Sequence, residues 1–198
     1  MVATVLALGV AVTASSVVAA FDTAAGELVR SQWLPSITAV SWRMSALAGT
    51  DLILPATAGL VVLLAAARHW HGALTLAVAV LATQGVVHMV KLTVARARPD
   101  ANGALAEAGG HSFPSAHSAT AVALYATLAF LAARHCRGAA RVAVLAAGGV
   151  VILAVGFSRI QLGAHYPVDV VAGWLLGGAL VLASWALIAR LVVRPAAA

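Results

Sequence analysis

An all-α fold, a polytopic membrane protein with six transmembrane helices in one bundle, is what this sequence predicts, and three observations predict it. Apolar residues fill 63% of the 198 positions and charged residues only 9%. Mean hydropathy is +1.01, which a water-soluble domain of this size does not sustain. Six stretches, near 2–20, 51–67, 72–94, 116–133, 142–158 and 166–189, approach the about 20 mostly apolar residues that a helix needs to cross the hydrocarbon core. They use most of the chain, so residues 1–198 read as a single membrane-embedded domain whose chemistry lies within about 50–190.

The stretch 2–20 is apolar and ends in small residues, as a cleaved signal does. It lacks a positive n-region and its apolar run is long, so a retained helix is expected. Residues 21–49 are too polar to span. Val29, Trp33, Ile37, Val40, Met44 and Leu47 fall three or four apart there, the pattern of an amphipathic helix lying in the interface, and Trp33 and Trp42 suit an aromatic belt. The spans 51–67 and 72–94 come next.

Between the third and fourth spans, Pro99, Asn102, Gly103, Gly109 and Gly110 break helical periodicity over 96–115. Pro99 disfavours the α region for Arg98, so the third helix should end near there. Ser112 or Ser115 can cap the fourth helix, whose free N–H groups would favour an anion. Pro167 suits the first turn of the sixth helix. Gly148, Gly149, Gly156, Gly173, Gly177 and Gly178 let neighbouring helices approach closely.

A net charge of +6 and a pI near 11.1 would suit nucleic acid. The basic residues, however, form no stripe with interleaved aromatics and sit at helix ends, so no nucleic-acid partner is expected. The charge instead sets topology. Arg68, Arg134, Arg137, Arg141, Arg190 and Arg194 fall on one side, against Arg30, Arg43 and Arg96 on the other, where all the acids lie (Asp22, Glu27, Asp51, Asp100, Glu107, Asp169). The richer side should be cytoplasmic, which puts both termini inside and the chemistry outside the plasma membrane. Cys136 is the lone cysteine, so an intramolecular disulfide is excluded. No repeat or linker divides the chain.

The polar minority carries the chemistry. His165 and Asp169 are four apart and come close to one face of a helix starting near Pro167. A carboxylate fixes the imidazole tautomer and leaves the other nitrogen's lone pair outward as a nucleophile. His117 supplies a second imidazole to protonate a leaving alkoxide and later activate water. Lys91, Arg98 and Arg159 neutralise phosphoryl oxygens, with Ser115 and the backbone N–H groups of Ala116 and His117 as neutral donors. No carboxylate cluster has metal-ligand spacing, so neither metal nor cofactor is expected.

These residues form three parts, Lys91-x6-Arg98-Pro99, Pro114-Ser115-Ala116-His117 and Ser158-Arg159-x5-His165-x3-Asp169. Together they resemble the signature of the type 2 phosphatidic acid phosphatase (lipid phosphate phosphatase) superfamily, in the family's order. The resemblance covers roughly residues 50 to 190 and leaves the N-terminal quarter without a motif. It implies a six-helix layout and a metal-independent phosphatase. Its catalytic residues would be His165 (phosphohistidine), His117 and Asp169, and its phosphate-binding residues Lys91, Arg98, Ser115 and Arg159. Ala116 stands where many members have glycine.

The expected substrate is a phosphorylated membrane lipid such as phosphatidic acid, phosphatidylglycerol phosphate or a polyprenyl pyrophosphate, the outward site favouring the last. The lipid bilayer is the other partner, and oligomeric state stays open. A lipid phosphotransferase using the same intermediate and a noncatalytic membrane scaffold are the alternatives. Outside the motifs, Arg43 and Arg96 read as charges snorkelling to the interface. His88, in a stripe with Gln84, reads as a hydrogen-bonded core histidine, His111 as near the active loop, and His69, His71 and His135 as solvated.

Overall fold

A computed structural model describes residues 2–31, 34–99, 105 and 109–192. Trp33, Arg194, Asp100, Asn102, Gly103 and Glu107, named above, lie outside the described residues. The described residues are all-helical: α1 Val2–Ala14, α2 Ser16–Arg30, α3 Pro35–Ala46, α4 Thr50–Ala66, α5 Trp70–Val94, α6 Ala116–Ala133, α7 Gly138–Gln161 and α8 Pro167–Val192. Four of them, α5 to α8, are long and apolar enough to cross a membrane, and α3 with α4, bent by 45°, would make a fifth.

The last four expected spans therefore coincide with helices to within a few residues. The first does not run unbroken. Ser15 leaves the helical conformation (φ −94°, ψ 116°) and its side chain accepts a hydrogen bond from the Val18 N–H, which starts α2. The segment 21–49 is likewise not one interfacial helix but the end of α2 and all of α3. α3 lies along α7, and Ser41, Met44, Ala154 and Phe157 line a cavity between them.

Inside and outside are exchanged relative to a water-soluble domain. Leu63, Leu81, Val142, Val150, Leu153, Leu175 and Leu182 are exposed, while Asp22, His165 and Asp169 are buried. Such surfaces suit lipid, and ionisable groups in that setting turn to the bundle interior. The core joins α4 to α8 through Ile53, Leu76, Val80, Leu124, Val155 and Val181. A π-helical turn at Val122–Ala126 interrupts α6, and there the Tyr125 hydroxyl donates to the Leu47 carbonyl at 2.7 Å, tying α6 to the α3–α4 bend.

α6 and α8 touch backbone to backbone because glycines line the seam. A Cβ on Gly173 would stand 2.6 Å from the Ser115 carbonyl oxygen, whereas one on Gly178 would meet nothing within 4 Å. Gly173→Ala should therefore destabilise the protein by about 1–3 kcal/mol, the usual range for overpacking, and Gly178→Ala should be near neutral. Denaturation in mixed micelles checks both; equal stabilities would show that the seam tolerates a methyl group.

Candidate active site

The site gathers where the C-terminal ends of α5 and α7 meet the N-terminal ends of α6 and α8. Lys91 occupies the last turn of α5, which closes on Ala95 in a left-handed conformation (φ 49°). Its ammonium donates to the His111 and Ser112 carbonyls, the latter at 3.3 Å. Arg98 reaches back across the loop, Nε to the Gly110 carbonyl at 3.0 Å, Nη2 to Gly109 at 2.9 Å and Nη1 to Ala164 at 2.6 Å. Gly110 takes φ 71° at that point, a conformation glycine adopts without strain.

Arg159 is buried near the end of α7 and donates through Nη1 to the Ser45 hydroxyl, while its Nε finds no partner. Just beyond it Gly163, at φ 71°, turns the chain, and the Ala164 and His165 N–H groups both bond to the Arg159 carbonyl, at 3.0 and 3.2 Å. That turn delivers His165 beside the start of α8. Lys91, Arg98 and Arg159 make no ion pair with a carboxylate among the described residues. Three cations so placed call for an anion.

The imidazole geometry fixes a tautomer. Arg98 Nη1 lies 3.2 Å from His165 Nε2, and because a guanidinium can only donate, Nε2 must accept. The proton then sits on Nδ1, 3.4 Å from Ser112 Oγ and 3.6 Å from Asp169 Oδ2. At 3.6 Å the direct contact is electrostatic rather than a hydrogen bond. The Ser112 hydroxyl bridges the pair, donating to Asp169 Oδ2 at 2.5 Å.

Burial pushes the His165 imidazole down to about 4, against the opposing pull of Asp169, with Lys91 and Arg98 lowering it further. The ring is therefore neutral at pH 7, with a lone pair on Nε2. Arg98, by burial, is held below the ordinary guanidinium range, partly offset by Asp169.

Ser115 is buried and caps α6, accepting from the Ser118 N–H at 3.4 Å and the Ser118 hydroxyl at 3.0 Å. Its own N–H bonds to the Asp169 carbonyl at 2.9 Å, which locks α6 to α8. Ser112, the other expected cap, serves the His165–Asp169 pair instead. Ala116 lies in the right-handed first turn, so no glycine-only conformation is needed there. His117 is half-buried on the same turn, within the electrostatic reach of Arg159, His165, Arg98 and Lys91. All eight residues singled out in the sequence thus meet at one end of the bundle.

Two further residues were not anticipated there. Arg96 does not snorkel: it is buried, with Nη1 donating to Asp169 Oδ1 at 2.6 Å and Nη2 to Asp22 Oδ2 at 2.7 Å. Asp22 comes from α2, in the motif-free quarter. A signal existed, since a single acid within a long apolar stretch is a functional flag in a membrane segment. His88 is exposed on α5 rather than in the core; Gln84 nearby accepts from the Thr120 hydroxyl at 3.0 Å. Arg43, His69, His71 and His135 are exposed, as expected, and the His111 carbonyl serves Lys91. Among the described residues no three His, Cys, Asp or Glu side chains gather as a metal ion would need.

Comparison with known proteins gives the family. Residues 72–192 match the PAP2 superfamily. The chain is 30% identical over 161 residues to phosphatidylglycerophosphatase B of Bacillus subtilis (strain 168), covering 77% of this chain and 74% of that one. It is 36% identical over 102 residues to a lipid A 1-phosphatase of Rhizobium etli, of whose length it spans 40%. Among solved structures, it superposes on a transmembrane PAP2 type phosphatidylglycerolphosphate phosphatase from Bacillus subtilis with a TM-score of 0.84 at 23% identity, over 98% of this chain and 97% of that one. LpxE of Aquifex aeolicus follows at 0.68 and 21%, over 82% and 93%. At those identities the likeness to the solved structures speaks for the fold.

Proposed function

The chain belongs to the PAP2 superfamily, and from that membership we propose that it is a metal-independent lipid phosphate phosphatase working through a phosphohistidine at His165. The relatives named above are a phosphatidylglycerophosphatase and a lipid A 1-phosphatase, which supports a phosphorylated lipid as the substrate class. The observation that carries the mechanism is the neutral Nε2 of His165 set among three cations that lack carboxylate partners.

The reaction follows from that arrangement. The His165 Nε2 lone pair attacks phosphorus and the P–O bond to the lipid breaks, while His117 gives its proton to the departing oxygen. Lys91, Arg98 and Arg159, with Ser115 and the first-turn amides of Ala116 and His117, hold the phosphoryl oxygens as charge builds on them. Asp169, through Ser112 and its own charge, keeps the Nδ1 proton in place and stabilises the cationic ring. A water molecule, deprotonated by His117, then attacks phosphorus; the P–N bond breaks and inorganic phosphate leaves. Asp22 and Asp169 both engage Arg96, so neither is disposed to ligate a metal.

The finer placement is part of the same reading: one membrane-embedded domain over 1–198, six crossings that include α3–α4 and the α1–α2 region, both termini cytoplasmic, and the site at the outer face of the plasma membrane. The count of Lys and Arg at the two ends supports that orientation. An outward site suits a polyprenyl pyrophosphate somewhat better than phosphatidic acid or phosphatidylglycerol phosphate.

Purified protein in detergent should release inorganic phosphate from at least one of these lipids with no acceptor present, which also separates hydrolysis from phosphotransfer. Because His165 must be neutral to attack, the acid limb of kcat/KM should lie near its value of about 4, well below the about 6.5 of an ordinary imidazole. Release from none of the lipids, or an acid limb at about 6.5, would contradict the reading.

A further inference from the structure

Asp22 and Arg96 lie 74 residues apart; Asp22 lies outside the signature and Arg96 occupies one of the unspecified positions between Lys91 and Arg98. We propose that they form a charge-balanced positioning pair, supplied by the N-terminal helices, that fixes Asp169 and through it sets the orientation and charge environment of His165. The proposal rests on His165 as nucleophile.

Three contacts define the pair. Arg96 is a two-ended clamp, 2.6 Å from Asp169 on one side and 2.7 Å from Asp22 on the other, with its guanidinium 4.3 Å above the Tyr166 ring. Tyr166 adjoins His165, so stacking holds the fork in the plane that reaches both carboxylates. Asp22, fully buried, uses its second oxygen to accept the Val168 N–H at 3.0 Å, in the first turn of α8. A carboxylate there satisfies a free helix-end donor and lies at the positive end of the helix dipole. One side chain on α2 thus holds both the helix that carries Asp169 and the cation that grips it.

The electrostatic consequence is specific. Asp169 alone beside Arg96 would share its charge with the guanidinium and offer less of it to His165. Asp22 balances that guanidinium, so the Asp169 charge remains effective at the imidazole. Burial and the two carboxylates act in opposite senses on Arg96, and the carboxylates win, raising it above the ordinary guanidinium range. The other groups facing His165 are Lys91 from α5, Arg98 and Ser112 from the loop and His117 from α6; of these the pair touches Ser112, whose N–H donates to the Arg96 carbonyl at 2.8 Å.

The two halves of the pair should therefore push His165 in opposite directions. In Arg96→Gln the Asp169 charge is no longer shared, so the imidazole gains proton affinity and the acid limb of kcat/KM moves to higher pH. In Asp22→Asn, which keeps an acceptor for the Val168 N–H, the uncompensated guanidinium moves that limb to lower pH or leaves it in place. Each variant should lower kcat about 10- to 100-fold, as expected for a reacting group shifted by a fraction of an ångström, with KM within about twofold. Asp22→Asn/Arg96→Gln should lose less than the product of the single losses, because both act through one contact.

The measurement is the pH profile of kcat and KM for wild type, both single variants and the double variant in detergent, with melting temperatures alongside. Opposed or unequal limb shifts with sub-multiplicative loss support the pair. Equal profiles, with melting temperature alone reduced, would mean that Asp22 only anchors α2 and would overturn the proposal. His165→Ala retaining full activity would instead overturn the nucleophile assignment, so the two failures are distinguishable.

Discussion

His165→Ala is expected to lower kcat by about four to six orders of magnitude, the range seen when a nucleophile in a multi-residue catalytic unit is removed. Lys91, Arg98 and Arg159 remain, and their grip on the phosphate does not depend on the imidazole, so KM should change far less than kcat. The variant leaves a cavity in a site where His165 is 2% exposed. His165→Gln, closer in volume, guards against loss of folding as the cause. Inactive His165→Gln that still binds inorganic phosphate or vanadate would place the loss in the chemical step, whereas near-wild-type turnover in either variant would remove His165 from the reaction.

The second large effect belongs to His117, and it should depend on the leaving group. With a lipid alkoxide, His117→Ala should lose about 10²–10⁴ in kcat, because general acid catalysis of that step disappears. With an aryl phosphate, whose phenolate leaves without protonation, the first step should recover while dephosphorylation stays slow, since no base activates the water. A burst of phenol followed by a slow steady state is the expected time course. Equal losses for alkyl and aryl phosphates would mean that His117 binds substrate instead of moving a proton.

What the sequence disclosed and what it hid follow a physical divide. Charged groups in an apolar chain announce themselves, so Lys91, Arg98, His117, Arg159, His165 and Asp169 are legible in the sequence, and the structure brings them to one end of the bundle. The four long helices were visible for the same reason: the apolar run of α6, for example, is bounded by the Ser115 cap and by Arg134. Ser15 escaped notice because a local cap does not interrupt hydropathy, yet it divides the first apolar stretch into α1 and α2.

Arg96 shows the other limit. Its spacing matched an interfacial anchor, and only the fold reveals carboxylates from residues 73 and 74 positions away on its two ends. Ser112 looked like a cap because capping is local, whereas its actual partners, Asp169 and His165, arrive through the α7–α8 turn. His88 is exposed, opposite to what its stripe with Gln84 suggests, since periodicity alone does not say which side of a helix meets lipid.

The most direct test of the whole account is rapid acid-free quenching of the enzyme with a ³²P-labelled phospholipid, followed by peptide mapping of the protein-bound label. The account predicts a transient phosphoryl group that is stable to alkali, labile to acid and located on His165, and absent from His165→Gln. Turnover with no covalent label, or label on another side chain, would contradict it.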